Sequence, residues 1–259
     1  MTDWNAVVGR ITDFIRKVVE EANAEGVVVG LSGGVDSSTT AFLCVKALGK
    51  DRVLGIIMPE RGVTREEDIE DALKVCEILG IDYKFVEINP IVEVFLNELG
   101  EGNKIAVANL KPRIRMIINY YFANNLKRLV AGTGNKSELM TGYYTKYGDG
   151  GVDFLPIGDL YKTEVFELAK FLGVPERIVK KAPSAGLWIG QTDEGELGIT
   201  YEKLDTILKA LEKGMKPEDI PKEYSVSEEE VRRVVEMVER SRHKREPPPV
   251  AMVRDLIDF

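Results

Sequence analysis

Apolar residues recur along this chain in two alternating periods. Residues 3–24 set Val7, Val8, Ile11, Phe14, Ile15, Val18 and Val19 at helical spacing, which predicts an amphipathic opening helix. The period then changes. Gly26-Val-Val-Val-Gly-Leu31 is a short continuous apolar run rich in β-branched residues, and it predicts a buried strand. A glycine-rich turn follows, then a helical stretch from about Ser37 to Leu48. The unit repeats: Arg52 to Met58 predicts a strand, and Thr64 with Glu67 spells a capping box that opens a helix to about Leu79. Tyr83 to Ile88 predicts the next strand, 90–99 and 104–125 two more helices, and Arg128-Leu-Val-Ala-Gly132 a further buried strand. The 104–125 stretch carries Ile114, Ile117, Ile118, Tyr121 and Phe122 on a wide apolar face.

Strands alternating with helices imply an α/β fold, a doubly wound parallel sheet with right-handed crossovers and helices on both faces. In such sheets ligands bind beyond the carboxyl ends of the strands. The two richest polar loops, 32–36 and 132–153, both follow strand ends. From Asp149 to Ile199 the helical pattern is broken by glycine and proline except at Lys162 to Leu172, which predicts long functional loops. Ser227 with Glu230 caps a last helix reaching about Arg240, and the tail carries Arg242-His-Lys-Arg245 and Pro247 to Pro249. With no internal repeat, residues 1–259 are expected to form one domain with an elaborated C-terminal third.

Composition narrows the ligands. Thirty-five Lys and Arg against 43 Asp and Glu give a formal net charge of -8, which argues against broad binding to nucleic acid or an anionic membrane. An anionic ligand must therefore meet a local positive site. Cys44 and Cys76 lie inside helical patterns, without CxxC spacing or a Cys/His cluster, so no disulfide framework or zinc site is readable. Residues 1–20 hold no apolar run of signal-peptide type, and no stretch reaches the roughly 20 apolar residues of a membrane span. A soluble, cytoplasmic protein is expected.

The chemistry starts at Ser32-Gly-Gly-Val-Asp-Ser37, between a predicted strand and a predicted helix. It is not a Walker A loop, because no lysine follows the glycines. Glycines nevertheless let the backbone approach an anion, and the N–H groups at the start of the following helix point at it with the positive end of the dipole. Ser32, Ser37 and Ser38 add hydroxyl donors. Asp36 would repel a bare phosphate, so its presence suggests contact through Mg²⁺, a hard cation that takes oxygen ligands.

This loop resembles the pyrophosphate loop of the N-type ATP pyrophosphatases. Gly132-Thr-Gly-Asn-Lys-Ser-Glu138, Thr145-Lys-Tyr-Gly-Asp-Gly-Gly-Val-Asp153, Pro156-Ile-Gly-Asp-Leu-Tyr-Lys162 and Pro183-Ser-Ala-Gly186 are similar to the successive motifs of the ammonia-dependent NAD(+) synthetases. Leu187 to Ile199 resembles the archaeal branch of that family. The resemblance implies an adenine nucleotide alpha-hydrolase-like, Rossmann-like fold. It also implies a ligase that amidates deamido-NAD with ammonia, at the expense of ATP, through an acyl-adenylate, giving NAD, AMP and pyrophosphate. The chain has no room for a glutamine-hydrolysing domain, so free ammonia or a separate donor protein is the expected source of nitrogen.

By the same resemblance Gly30, Leu31, Ser32, Gly33, Gly34, Val35, Asp36 and Ser37 cradle the ATP phosphates, and Asp36 with Glu138 ligates Mg²⁺. Met58, Thr133, Lys162 and Ser184 match other ATP positions, with Lys162 placed to neutralise charge on the leaving pyrophosphate; Asp36 and Lys162 are the implied catalytic pair. Arg115, Lys146, Asp153, His243 and Lys244 match positions that bind deamido-NAD. Without the family, Glu138 has the alternative of an ordinary acidic residue at a helix start, Asp153 that of a turn former and Arg242 to Arg245 that of a basic helix end. Gly186, Gly190, Gly195 and Gly198 around Trp188 supply hinges and a plug for a lid over 187–199. The family is homodimeric, and the apolar face of 104–125 suits such a contact. Two other readings share the phosphate loop: a tRNA-thiolating or GMP-forming pyrophosphatase, and a non-catalytic ATP-binding regulatory module.

Overall fold

The four expected strands pair as one parallel sheet. The computed structural model describes residues 2–100 and 102–257. Strands β1 (Gly26–Gly30), β2 (Val53–Ile57), β3 (Asp82–Phe85) and β4 (Arg128–Ala131) lie in the order β3-β2-β1-β4, with Val28 opposite Leu54 on one side and Val130 on the other. Around them run α1 (Trp4–Glu21), α2 (Val35–Leu48), α3 (Glu66–Leu79), α4 (Asn89–Leu99), α5 (Lys104–Asn125), α6 (Lys136–Thr141) and α7 (Lys162–Leu172). The C-terminal third adds α8 (Glu176–Val179), α9 (Asp193–Leu197), α10 (Tyr201–Glu212), α11 (Ile220–Glu223), α12 (Glu228–Arg240) and α13 (Arg242–Arg245).

Alternation along the strands builds two cores on opposite faces. Val27, Val29, Val53 and Ile57 pack with Ile15 and Val19 of α1, Leu43 of α2, Val75 of α3 and Leu168 of α7. Val28, Leu54, Ile56 and Val130 point the other way, to Val92 of α4 and to Ile114 and Ile118 of α5. Both faces are covered, as the unbroken apolar runs of β1 and β2 require. A third core, with Leu204, Ile207 and Leu208 of α10 against Val231 and Val234 of α12, stands apart from the sheet.

Several expectations change. Thr64 and Glu67 do not form a capping box: α3 starts at Glu66, and Thr64 Oγ1 instead accepts from the Glu60 N–H at 2.9 Å in the preceding turn. The 149–199 stretch is not all loop, since α8 and α9 lie in it and Phe154 bridges Ala131 at the edge of β4. The Ser227–Glu230 capping box is present and opens α12. Among the described residues no helix is long and apolar enough to cross a membrane.

The chain leaves β1 toward β2 and returns from β3 to β4 on the far side of β1. Strand order thus reverses between β1 and β4, and the loops leaving their carboxyl ends part there and open a crevice. Residues 32–34 and 132–135 are those two loops.

Candidate active site

Gly33 sits at φ +77°, and a Cβ there would lie 2.1 Å from the Asp68 carbonyl oxygen of α3; both the angle and the space demand glycine. Gly34 is the extended N-cap of α2, so the N–H groups of Val35, Asp36 and Ser37 have no partner within the helix and face the crevice. The hydroxyls of Ser37 and Ser38 donate to the Gly34 carbonyl at 3.1 and 2.8 Å, so they brace the loop rather than point free donors at an anion. Ser32 Oγ lies 3.1 Å from Ser37 Oγ.

Across the crevice α6 begins with a reciprocal cap: Asn135 Oδ1 accepts from the Glu138 N–H at 3.0 Å, and Glu138 Oε2 accepts from the Asn135 N–H at 3.2 Å. Asn135 also donates through Nδ2 to Asp36 Oδ1 at 3.0 Å, which ties the two strand-end loops together. Between the two acids stands Lys162, first residue of α7 and only 2% exposed; its Nζ meets Asp36 Oδ2 and lies 3.6 Å from Glu138 Oε1. The Lys162 N–H donates to Ser137 Oγ at 2.9 Å, and the next N–H, of Thr163, donates to Asp205 Oδ2 at 2.8 Å. Burial alone would lower the lysine's pKa, but Asp36, Glu138 and Asp193 outweigh it and raise it, so the ammonium stays charged. Burial and the charge of Asp36 raise the Glu138 carboxyl well above the usual range.

Two carboxylates fit Mg²⁺, which binds few protein ligands and completes its shell with water and substrate phosphate. Among the described residues no group of three or more His, Cys, Asp or Glu forms a closed metal cage. Asp36 and Glu138 are the oxygen donors that a metal shared with a nucleotide would use.

The crevice widens to about 840 Å³. Its walls include Gly30, Leu31, Ser32, Gly34, Met58, Arg115, Thr133, Ser184 and Lys244, besides the acids and Lys162. Arg115 is half-buried; loss of water lowers its pKa against the pull of Glu60 and Asp149, and its Nε donates to the Met58 carbonyl at 3.0 Å. Ser184 Oγ donates to the Gln191 carbonyl at 2.8 Å. The 187–192 segment forms one wall: Lys111 donates to the Leu187 carbonyl at 2.9 Å while pairing with Glu60 at 2.7 Å, and Lys104 Nζ stands 4.2 Å from the centre of the Trp188 ring. Gly186, Gly190 and Gly198 are left-handed, Gly198 as the C-cap of α9, and Gly195 lies inside α9.

Four expected residues do not line this wall. Gly33 turns toward α3. Lys146 donates to the His243 carbonyl, so these two meet each other outside the crevice. Asp153 accepts from the Val130 N–H at 2.7 Å and from the Tyr120 hydroxyl at 3.0 Å, which makes it a clasp between β4, the returning 152–154 segment and α5. Conversely, Asn135, Ser137, Asp193 and Asp205 went unread as site residues. Asp193, 4% exposed, accepts from the hydroxyls of Tyr201 and Tyr143 at 3.1 and 3.2 Å and faces Lys162. Only Asn135 carried a signal, the Asn-x-x-Glu spacing of its cap.

Known proteins resemble this chain over nearly its whole length. The family model described as NAD synthase matches residues 7–248. The NH(3)-dependent NAD(+) synthetase of Archaeoglobus fulgidus is 66% identical over 98% of this chain and all of its own length. Among solved structures, an NMN synthetase from Francisella tularensis superposes with a TM-score of 0.86 at 36% identity, covering 97% of this chain and 99% of that one. An NH3-dependent NAD synthetase from Campylobacter jejuni gives 0.83 at 34%, covering 97% and 100%. With a matched stretch that takes in all four strands, the phosphate loop and Lys162, the chain belongs to the NAD synthase family.

Proposed function

We propose that this chain amidates deamido-NAD with ammonia, using ATP and giving NAD, AMP and pyrophosphate. The observation that carries the reading is the Asp36–Lys162–Glu138 centre, set at the point where strand order reverses and directly beside the phosphate loop. A carboxylate is a poor acyl donor because ammonia would have to expel an oxide. Attack by a carboxylate oxygen on the α-phosphorus of ATP forms an O–P bond and breaks the bond to the bridging oxygen, so pyrophosphate departs with the electron pair. Ammonia then adds to the acyl carbon, a C–N bond replaces the C–O bond of the mixed anhydride, AMP leaves, and one proton is lost. Neither step requires a side-chain nucleophile.

The chain's part is placement and charge. The free N–H groups at the start of α2, the Lys162 ammonium and Ser184 face the polyphosphate, and Met58 and Thr133 contact the rest of ATP. Mg²⁺, held by Asp36 and Glu138, would supply charge neutralisation at the phosphate oxygens. Arg115 and Lys244, both on the crevice wall, are the cations for the acid dinucleotide. A homodimer built on the outward face of α5 would add Lys146, His243 and the exposed Asp153–Tyr120 clasp to that site. The cytoplasm is the proposed setting, where the buried free thiols of Cys44 and Cys76 stay reduced.

The test is an incubation with ATP, Mg²⁺, ammonium and either deamido-NAD or nicotinate mononucleotide. NAD and AMP in equal amounts from the dinucleotide are expected. The mononucleotide arm matters because one structural relative is named an NMN synthetase. Product from the mononucleotide alone, or AMP without an amide, would overturn the reading.

A further inference from the structure

We infer that Lys181 is a positioning residue for ATP binding, which sets the shape of the phosphate loop without touching a phosphate. This rests on the reading of the crevice as an ATP site. Lys181 lies between α8 and Ser184, on the crevice side of the chain, and its side chain is 13% exposed. A lysine so near a phosphate loop suggests a direct phosphate contact, but its donors are already used. Its Nζ meets the Gly33 carbonyl at 3.2 Å, Asp68 Oδ1 at 2.7 Å, and Asp71 Oδ2. An ammonium has three N–H groups, and three acceptors take them all.

The Gly33 contact is the one with a consequence for ATP. The peptide that joins Gly33 to Gly34 is planar and trans, so its C=O and N–H point in opposite directions. With the carbonyl held by Lys181 on the α3 side, the Gly34 N–H is turned to the crevice side, where Gly34 is part of the wall and Gly33 is not, and there it makes a long bond of 3.3 Å to Ser32 Oγ. Left-handed Gly33 is free to rotate otherwise. The lysine thus selects the peptide orientation in which the Gly34 N–H lies on the crevice side, where an anion would compete only with the long bond to the Ser32 hydroxyl.

The acids around Lys181 belong to a wider network. Asp68 also accepts both arms of the Arg65 guanidinium, at 2.8 and 2.9 Å, and Asp71, which is 1% exposed, accepts from Arg177. Each acid is matched by a cation, so the network adds rigidity near the phosphates without much net charge. It also joins three segments, the loop, the first turns of α3 and the stretch that leads to Ser184. The next link is short: Ser184 donates to Gln191, and the Asp193 N–H donates to the Pro183 carbonyl at 3.1 Å. Grip on the phosphates and seating of the 183–193 wall therefore share Lys181 as a common anchor.

The experiment measures kcat, the KM values for ATP and deamido-NAD, and the thermal midpoint in three variants of the full chain. Lys181→Met removes the anchor; Lys181→Met with Asp71→Asn removes it together with the buried charge it would otherwise strand; Lys181→Arg keeps the charge but replaces three divergent N–H groups with a planar fork. The double variant should fold and show a rise of about tenfold in the KM for ATP, the scale of one charge-assisted hydrogen bond, with the KM for deamido-NAD unchanged. Lys181→Arg should give a smaller rise in the same constant. An unchanged KM for ATP in Lys181→Arg and in whichever Met variant folds would overturn the inference. So would a rise of both KM values in step, or a fall in kcat alone, which would mean that the lysine meets the transferring phosphate. Wild-type protein that forms no NAD in the same assay would instead defeat the functional reading beneath it.

Discussion

At the scale of single residues, the centre depends on one cation among three acids. Lys162 faces Asp36, Glu138 and Asp193, and among the described residues no second lysine or arginine shares an ion pair with the first two. The substitution Lys162→Met keeps the length of the side chain and removes the charge. In a crevice shielded from water, the loss of one preorganised donor to developing charge costs about 10²–10³ in rate. NAD formation by Lys162→Met should therefore fall by about that factor in kcat, read in a steady-state assay with saturating ATP. A variant within a few-fold of wild type would remove Lys162 from the chemistry. The thermal midpoint should fall as well, because buried carboxylates left without their partner are costly.

At the scale of elements, what holds Lys162 in place is the start of α7. Its first two N–H groups, from Lys162 and Thr163, are met by Ser137 of α6 and Asp205 of α10. Ser137 also donates to the Asp205 carboxylate, so three helices meet in one buried polar knot. Burial raises the Asp205 pKa despite these bonds. Above the ordinary carboxylate value of about 4 and up to the raised one, the native state thus holds a proton that the unfolded chain has lost. Asp205 contributes its full stability below that window, and the contribution shrinks as pH rises through it. In Asp205→Asn the thermal midpoint should change less between pH 4 and the upper end of the window than in wild type, whatever the absolute loss of stability. An equal slope in the two proteins would show that Asp205 titrates normally.

These elements also mark how far the sequence was legible. β1, β2 and β4 follow from apolar runs, and Ser227-x-x-Glu230 marks the start of α12 correctly, whereas the strand expected over Tyr83 to Ile88 forms as the exposed edge β3 at Asp82–Phe85, which holds no β-branched residue. Thr64-x-x-Glu67 has the same spelling and fails, because the turn at Glu60 takes the Thr64 hydroxyl and Arg65 forks onto Asp68 instead. The helices α6, α8 and α9 are four to six residues long, too short for a period to show. α10 carries its signal openly in Leu204, Ile207 and Leu208. The pairing of Asp36 with Glu138 follows once the sheet is parallel, because both lie just past neighbouring strand ends. The positions of Asp193, Asp205 and Lys181 follow only from contacts that no local pattern encodes.

At the scale of the whole molecule, the apolar face of α5 divides in two. Ile114 and Ile118 enter the core beneath the sheet, whereas Ile105, Ile117 and Tyr121 are 72%, 55% and 66% exposed, and α4 adds Val94 and Leu99 at 61% and 73%. Monomers seldom leave so many large apolar side chains in water. If a second copy covers α5, then Ile117→Arg should convert a particle of twice 28.9 kDa into one of 28.9 kDa in sedimentation. It should also weaken deamido-NAD binding while leaving ATP binding nearly intact, because the phosphate loop lies at the carboxyl edge of the sheet. Charge supplies an independent sign. Each copy carries a formal -8, so two copies repel at long range, and added salt screens that repulsion. The dimer should therefore tighten from low to moderate salt, the reverse of an association held by opposite charges. A wild-type chain that sediments as a monomer across that salt range would leave the outward face of α5 without its proposed partner.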